Sequence, residues 1–116
     1  MEQFVEVYQP MPDNIIRIHT DSESKKVEVF ASYKDESNFS VCLTHPEADW
    51  LASELKLPHG INWIRLANKQ VLRVVKIGEV RQIILSDIKA GQEIHIRPIG
   101  IVLEDVLEKV IDALKA

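Results

Sequence analysis

A single cysteine, Cys42, rules out an internal disulfide, so nothing points to an oxidising compartment and packing alone must hold the fold. Four glycines, at 60, 78, 91 and 100, leave neither a GxGxxG fingerprint nor a Walker phosphate loop, since both need several glycines in one tight turn. No apolar run approaches the roughly 20 residues of a membrane-spanning helix. The first residues, Met1-Glu2-Gln3-Phe4, lack the basic start and apolar core of a signal peptide. The expectation is a cytoplasmic protein with no membrane segment. His19, His45, His59 and His95 make no His-x-x-His or His-x-x-x-His pair, and Cys42 with His45 would supply two ligands where zinc needs three or four. No metal or cofactor is expected. A lone Cys on a strand is usually a small packing residue; a Cys42 nucleophile with a remote His partner stays open, but the chain reads as non-enzymatic.

What is present is one strong helical period at the end of the chain. Leu103, Val106, Leu107, Val110, Ile111 and Leu114 fall on one broad stripe, and Glu104, Asp105, Glu108, Asp112 and Lys115 take the other side. Burying six aliphatic side chains contributes on the order of 9–18 kcal/mol gross, an upper bound because the unfolded chain already hides some apolar surface. Such a stripe needs a partner, and the rest of the chain reads as a sheet that supplies it. A length of 116 residues suits one domain, 1–116, able to bury a core without staples.

Before that helix the period is two. Phe4–Tyr8, Ile15–Thr20, Lys26–Ser32 and Phe39–Thr44 read as strands, with Tyr33–Asn38 a loop between the last two. Phe39, Val41 and Leu43 point inward from the fourth strand. Thr44-His45-Pro46-Glu47 then announces a helix to about Lys56: Thr and Glu three apart can each satisfy an orphan N–H, and Pro is tolerated in the first turn. Ala48, Leu51, Ala52 and Leu55 give it an apolar face, with Trp50 beside it. Four further strands, Asn62–Ala67, Gln70–Ile77, Val80–Ser86 and Gln92–Arg97, are separated by turn residues, and Pro98-Ile99-Gly100 leads into the last helix, expected over 101–114. The class is α+β: a mainly antiparallel β-sheet with two helices, the C-terminal amphipathic one packed on the sheet. The element order suggests a pseudo-repeat of ββββα units, 1–60 and 61–116, although residue identity between the halves is slight.

Two ββββα units are also the plan of the Whirly and Pur-type families. The chain resembles them in element order and in carrying Arg and aromatic residues on strands; the resemblance covers architecture, rests on no signature motif, and the chain is shorter than a full Whirly domain. It implies binding of single-stranded nucleic acid across an antiparallel sheet, an analogy of plan rather than of site.

Charge is unevenly distributed. Residues 1–60 carry five Lys/Arg against eleven Asp/Glu, residues 61–100 seven against three, and residues 101–116 two against four, within a chain of net charge −4. The middle segment is the one place with the electrostatic footprint that a polyanion requires; solubilising charges on water-facing strands would give the same balance. In it Trp63 and Arg65 share one strand face, Arg81 lies on the next strand but one, and His95 and Arg97 share a face of the last. If these residues meet on one side, guanidinium groups would hold phosphates while a base stacks on the indole. Arg17 and His19 would extend the patch if the halves form one continuous sheet. Strand register decides whether they meet. The competing reading is an assembly module: a homo-oligomer in which the stripe Leu103, Val106, Leu107, Val110, Ile111 and Leu114, with Ile99, Ile101 and Val102, packs against a second subunit.

Overall fold

In a computed structural model, which describes residues 2–11, 13–32 and 39–116, the chain runs β1 (Gln3–Gln9), β2 (Asn14–Thr20), β3 (Ser24–Ala31), β4 (Phe39–Thr44), α1 (His45–Lys56), β5 (His59–Arg65), β6 (Gln70–Ile77), β7 (Val80–Lys89), β8 (Gln92–Leu103) and α2 (Glu104–Lys115). The order ββββα therefore occurs twice. Each set of four strands is an antiparallel meander of its own, β1-β2-β3-β4 and β5-β6-β7-β8, as hairpin connections between neighbours require. The expected loop 33–38 lies outside the described residues. Among the described residues no helix is long and apolar enough to cross a membrane.

Alternation at period two decides which face of each sheet is covered. In the first sheet Val7, Ile16, Ile18, Val27, Val29, Phe39, Val41 and Leu43 are buried, and the register places Val7 opposite Ile16, Ile16 opposite Val29 and Val29 opposite Phe39, so they form one surface. In the second sheet Leu72, Val74, Ile83 and Leu85 do the same. Both surfaces close on the two helices, which pack against each other: α1 meets β3, β4 and β6, and α2 meets β1, β2 and β8. The buried residues of both halves make one hydrophobic cluster.

The start of α1 follows its sequence signal. Thr44 Oγ1 accepts from the Glu47 N–H at 3.3 Å, and Glu47 Oε1 accepts from the Thr44 N–H at 2.9 Å; such a cap is worth about 1 kcal/mol. Ala48, Leu51, Ala52 and Leu55 are all buried. The start of α2 departs from expectation, because β8 continues through Pro98 and Gly100 to Leu103 and the helix begins at Glu104. A proline is tolerated there because β8 is an edge strand, and the register with β7 shifts between Ile83 and Ile84, next to it. The helix lacks a side-chain cap of its own. Its first donors are satisfied from outside: the Leu103 N–H by Gln9 Oε1 at 2.8 Å and the Glu104 N–H by the Glu79 carbonyl at 3.1 Å. In the same way β5 begins at His59 rather than Asn62 and ends at Arg65, and β7 runs to Lys89, because pairing with β6 and β8 extends them.

The stripe of α2 is used within the chain. Leu107, Val110, Ile111 and Leu114 are buried, together with Ala113, while Leu103 and Val106 are half-buried. The surface that the assembly reading gives to a second subunit is thus covered mainly by the protein's own α1 and strands. The side chains of Ile99 and Ile101 lie outside the described residues.

Each helix is also held at both ends by residues of the other half. Lys25 on β3, almost fully buried, donates through Nζ to the carbonyls of Ala113, Leu114 and Ala116 at the end of α2. Arg81 on β7 donates through Nε to the Leu55 carbonyl at the end of α1, 2.9 Å away. At the other ends, Gln9 holds the start of α2, and Glu47 Oε2 in the first turn of α1 accepts from the Ala67 N–H at 2.7 Å. Orphan carbonyls at a helix C-terminus carry partial negative charge, so cations suit them. A buried ion pair adds a further tie between the halves: Lys76 Nζ lies 3.0 Å from Glu54 Oε2, the two side chains 2% and 6% exposed. Lys76→Met is expected to destabilise by about 3–5 kcal/mol, because it leaves the Glu54 carboxylate buried without its cation. Combining it with Glu54→Leu should recover most of that loss; urea denaturation of the two variants checks both outcomes.

Candidate nucleic-acid interface

Because Leu72, Val74, Ile83 and Leu85 face the helices, their neighbours along β6 and β7 face away from them. The register aligns three rows on this outward face: Ile61, Val75 and Gln82; Trp63, Arg73 and Ile84; Arg65, Val71 and Ser86. Trp63 is 57% exposed and Arg65 is exposed as well. Trp63, Arg65, Val71, Arg73, Ile88 and Glu93 line a cleft of about 230 Å³. An indole whose ring is open to solvent next to two guanidinium groups can stack a planar group and hold an anion at the same time.

The two arginines differ in state. Arg73 is engaged: its two terminal nitrogens donate to the two oxygens of Glu93 at 2.9 and 3.2 Å. Glu93 also accepts from Ser86 Oγ at 2.8 Å. The Arg73 guanidinium first, and the Ser86 hydroxyl second, hold the Glu93 carboxyl below its ordinary range. Among the described residues no hydrogen bond or ion pair engages the side chain of Arg65.

Three of the five residues that the sequence grouped lie elsewhere. Arg81 shares β7 but points to the opposite face, where it pairs across Lys76 and Val102 and is 4% exposed. The reason is the end of α1: the Leu55 carbonyl needs a donor, and the same guanidinium also reaches the Gly78 carbonyl. His95 and Arg97 are separated from the cleft by irregular pairing. Between Leu85 and Asp87 on β7 the register shifts, so that Arg97 sits opposite the inward-facing Leu85, and His95 takes a left-handed φ of 50°. Both then converge on Asp87, Arg97 at 3.1 Å from Oδ1 and His95 Nδ1 at 3.1 Å from Oδ2. Both side chains are thus engaged by a carboxylate of the same sheet.

Arg17 and His19 do not extend the patch either, because the halves form separate sheets. Arg17 lies on the outward face of the first sheet, 2.8 Å from Glu6 Oε1, with its guanidinium carbon 5.2 Å from the Phe4 ring centre and 4.7 Å from that of Phe30. Arg73 was absent from the sequence-based grouping. Counting outward from Asn68-Lys69 as a two-residue turn pairs residue 65 with 72 and 63 with 74; the observed turn has three residues, 67–69, with the Leu66 N–H on the Gln70 carbonyl and Lys69 at a φ of 70°, and this pairs 65 with 71 and 63 with 73. Among the described residues no three His, Cys, Asp or Glu side chains converge as a metal centre requires.

Asp87 links this arrangement to pH. Hydrogen bonds from Arg97 above all, then from Gln70 and His95, hold its carboxyl well below the ordinary range. A depressed folded-state value means stability that is present above the unfolded value and lost as pH falls below about 4. Asp87→Asn is therefore expected to make the acid side of a melting-temperature profile less steep, with little effect of pH between 6 and 8 on the difference between the two proteins, roughly the plateau for an ionised carboxylate.

Compared with known protein families, with curated proteins and with solved structures, the chain matches none.

Proposed function

We propose that this protein is a non-enzymatic binding module that takes single-stranded DNA or RNA on the outward face of the β5–β8 sheet. The observation that carries the reading is the exposed Trp63 ring beside Arg65 and Arg73 on one cleft. Base stacking on an aromatic ring is worth roughly 1–3 kcal/mol per base and tolerates any sequence; Arg65 would hold the adjoining phosphate. The repeated ββββα order is the plan of the Whirly and Pur-type families, which supports the reading by analogy. The first sheet is a poorer candidate, since its Arg17 is already paired with Glu6 and stacked between rings. A flexible single strand, able to follow one cleft, suits an acidic protein better than a stiff, densely charged duplex. A cytoplasmic setting belongs to the same proposal.

The test is tryptophan fluorescence in a Trp50→Phe background, which leaves the exposed Trp63 as the reporter. An oligonucleotide should quench it at low salt, and Arg65→Ala should weaken binding roughly tenfold, the scale of one hydrogen bond to a charged group. Absence of quenching at low salt, or binding indifferent to Arg65→Ala, would overturn the proposal.

A second reading is favoured by the other end of the same face. Ile61 and Ile77 are 69% and 71% exposed, with Val80 beside Ile77 in the register. Such side chains left in water suit an interface between two copies. Homodimerisation there would be abolished by Ile77→Asp and nearly independent of salt, as sedimentation across a concentration series would reveal.

A further inference from the structure

We infer that Glu93 is a built-in competitor for the ligand of this cleft: its carboxylate occupies the Arg73 guanidinium, so that a phosphate can reach Arg73 only by displacing it. The inference rests on the reading of the cleft as a single-stranded nucleic-acid site, and names how binding there is limited.

The argument is one of geometry and access. Arg73 presents two parallel N–H groups to the two oxygens of Glu93, the same fork that a guanidinium offers to a phosphate. One cation cannot serve both anions in that geometry. Glu93 is also anchored by Ser86, a fully buried residue of β7 whose hydroxyl donates to Oε1, the oxygen that also accepts from Arg73, so its carboxylate is placed rather than swinging free. The pair nonetheless stays open to a ligand, with side chains 28% and 34% exposed. The contrast is with Lys76 and Glu54, sealed at 2% and 6%, whose partners no solute can exchange. Glu93 also lines the cleft beside Trp63 and Arg65, so its negative charge stands where phosphate charge would arrive.

The two guanidinium groups of the cleft therefore act differently. Arg65, with no competitor, takes a phosphate directly. Arg73 takes one at the expense of its bond to Glu93, and ligand binding becomes an exchange of carboxylate for phosphate. Such an exchange keeps affinity moderate and release easy, and it reduces by one the phosphates that contribute to salt dependence.

Titration of a labelled oligothymidylate across a salt series tests this with Glu93→Gln, which keeps the size and an oxygen for Arg73 and Ser86 but removes the charge. Binding is expected to tighten roughly tenfold, the scale of one hydrogen bond between charged groups. The slope of log affinity on log salt should steepen by about 0.7, the contribution of one more phosphate contact on a single strand. In an Arg73→Ala background the same substitution should give no comparable gain. Glu79→Gln, which removes a charge from the β6–β7 turn, is the control for net charge. Wild-type binding unchanged by Glu93→Gln, or strengthened as much by Glu79→Gln, would overturn the inference and leave the proposed function standing. If neither wild type nor Glu93→Gln bound at low salt, the proposed function itself would fall. Should Glu93→Gln not fold, Glu93→Ala, which also removes the carboxylate, carries the same comparison.

Discussion

The arrangement depends on two helices packed against each other and fastened crosswise. Each ββββα half sends its helix to the shared centre, and the other half binds each helix at both ends: Arg81 donates to the Leu55 carbonyl at the end of α1 and the Ala67 N–H to the Glu47 side chain in its first turn, while Gln9 accepts at the start of α2 and Lys25 donates at its end. A helix end buried without partners would strand backbone donors and acceptors, each costing roughly 1–3 kcal/mol. Neither half supplies all of these partners to its own helix, so the halves are mutually required. The correspondence is close in position as well as in kind. Lys25 is the second residue of the third strand of its sheet, Arg81 holds the same place in its own, and the two cations cap the two C-termini. Among the described residues no buried side-chain donor or acceptor lacks a partner.

This crosswise design also explains much of the uneven charge. Of the seven basic residues in 61–100, Lys76 and Arg81 are buried against Glu54 and the end of α1, while Arg73 and Arg97 are paired with Glu93 and Asp87. Part of the basic excess of the second half therefore answers acceptors in the first. What would remain for the proposed polyanion is narrower than the segment's charge suggests: Arg65, Arg73 if Glu93 is displaced, and Lys69 and Lys89 at the same end of the sheet. That face is two-sided in character. It is basic and aromatic toward the β5–β6 turn and apolar toward the β6–β7 turn, where Ile61, Ile77 and Val80 stand exposed.

By itself the sequence determined the class, the strand and helix order, the inner face of β4 and the apolar faces of both helices, because these follow from local periodicity. Phe39, Val41 and Leu43 are buried as alternation requires, α1 starts at a Thr44–Glu47 capping box, and the stripe of α2 is apolar where it is covered. Tertiary structure alone decided what covers what. Whether Arg81 faces water or a helix end depends on where α1 stops in space, twenty-six residues earlier in the chain. Whether His95 and Arg97 join Trp63 depends on a register shift between Leu85 and Asp87 that no period of two announces. The end of β8 was hidden for the same reason, since Pro98 and Gly100 break most strands but not an edge strand held by β7. Periodicity is a property of neighbours in sequence; the pairing of a cation with a distant carbonyl or carboxylate is a property of the packed chain, and it is this pairing that sorts structural arginines from those left free to bind.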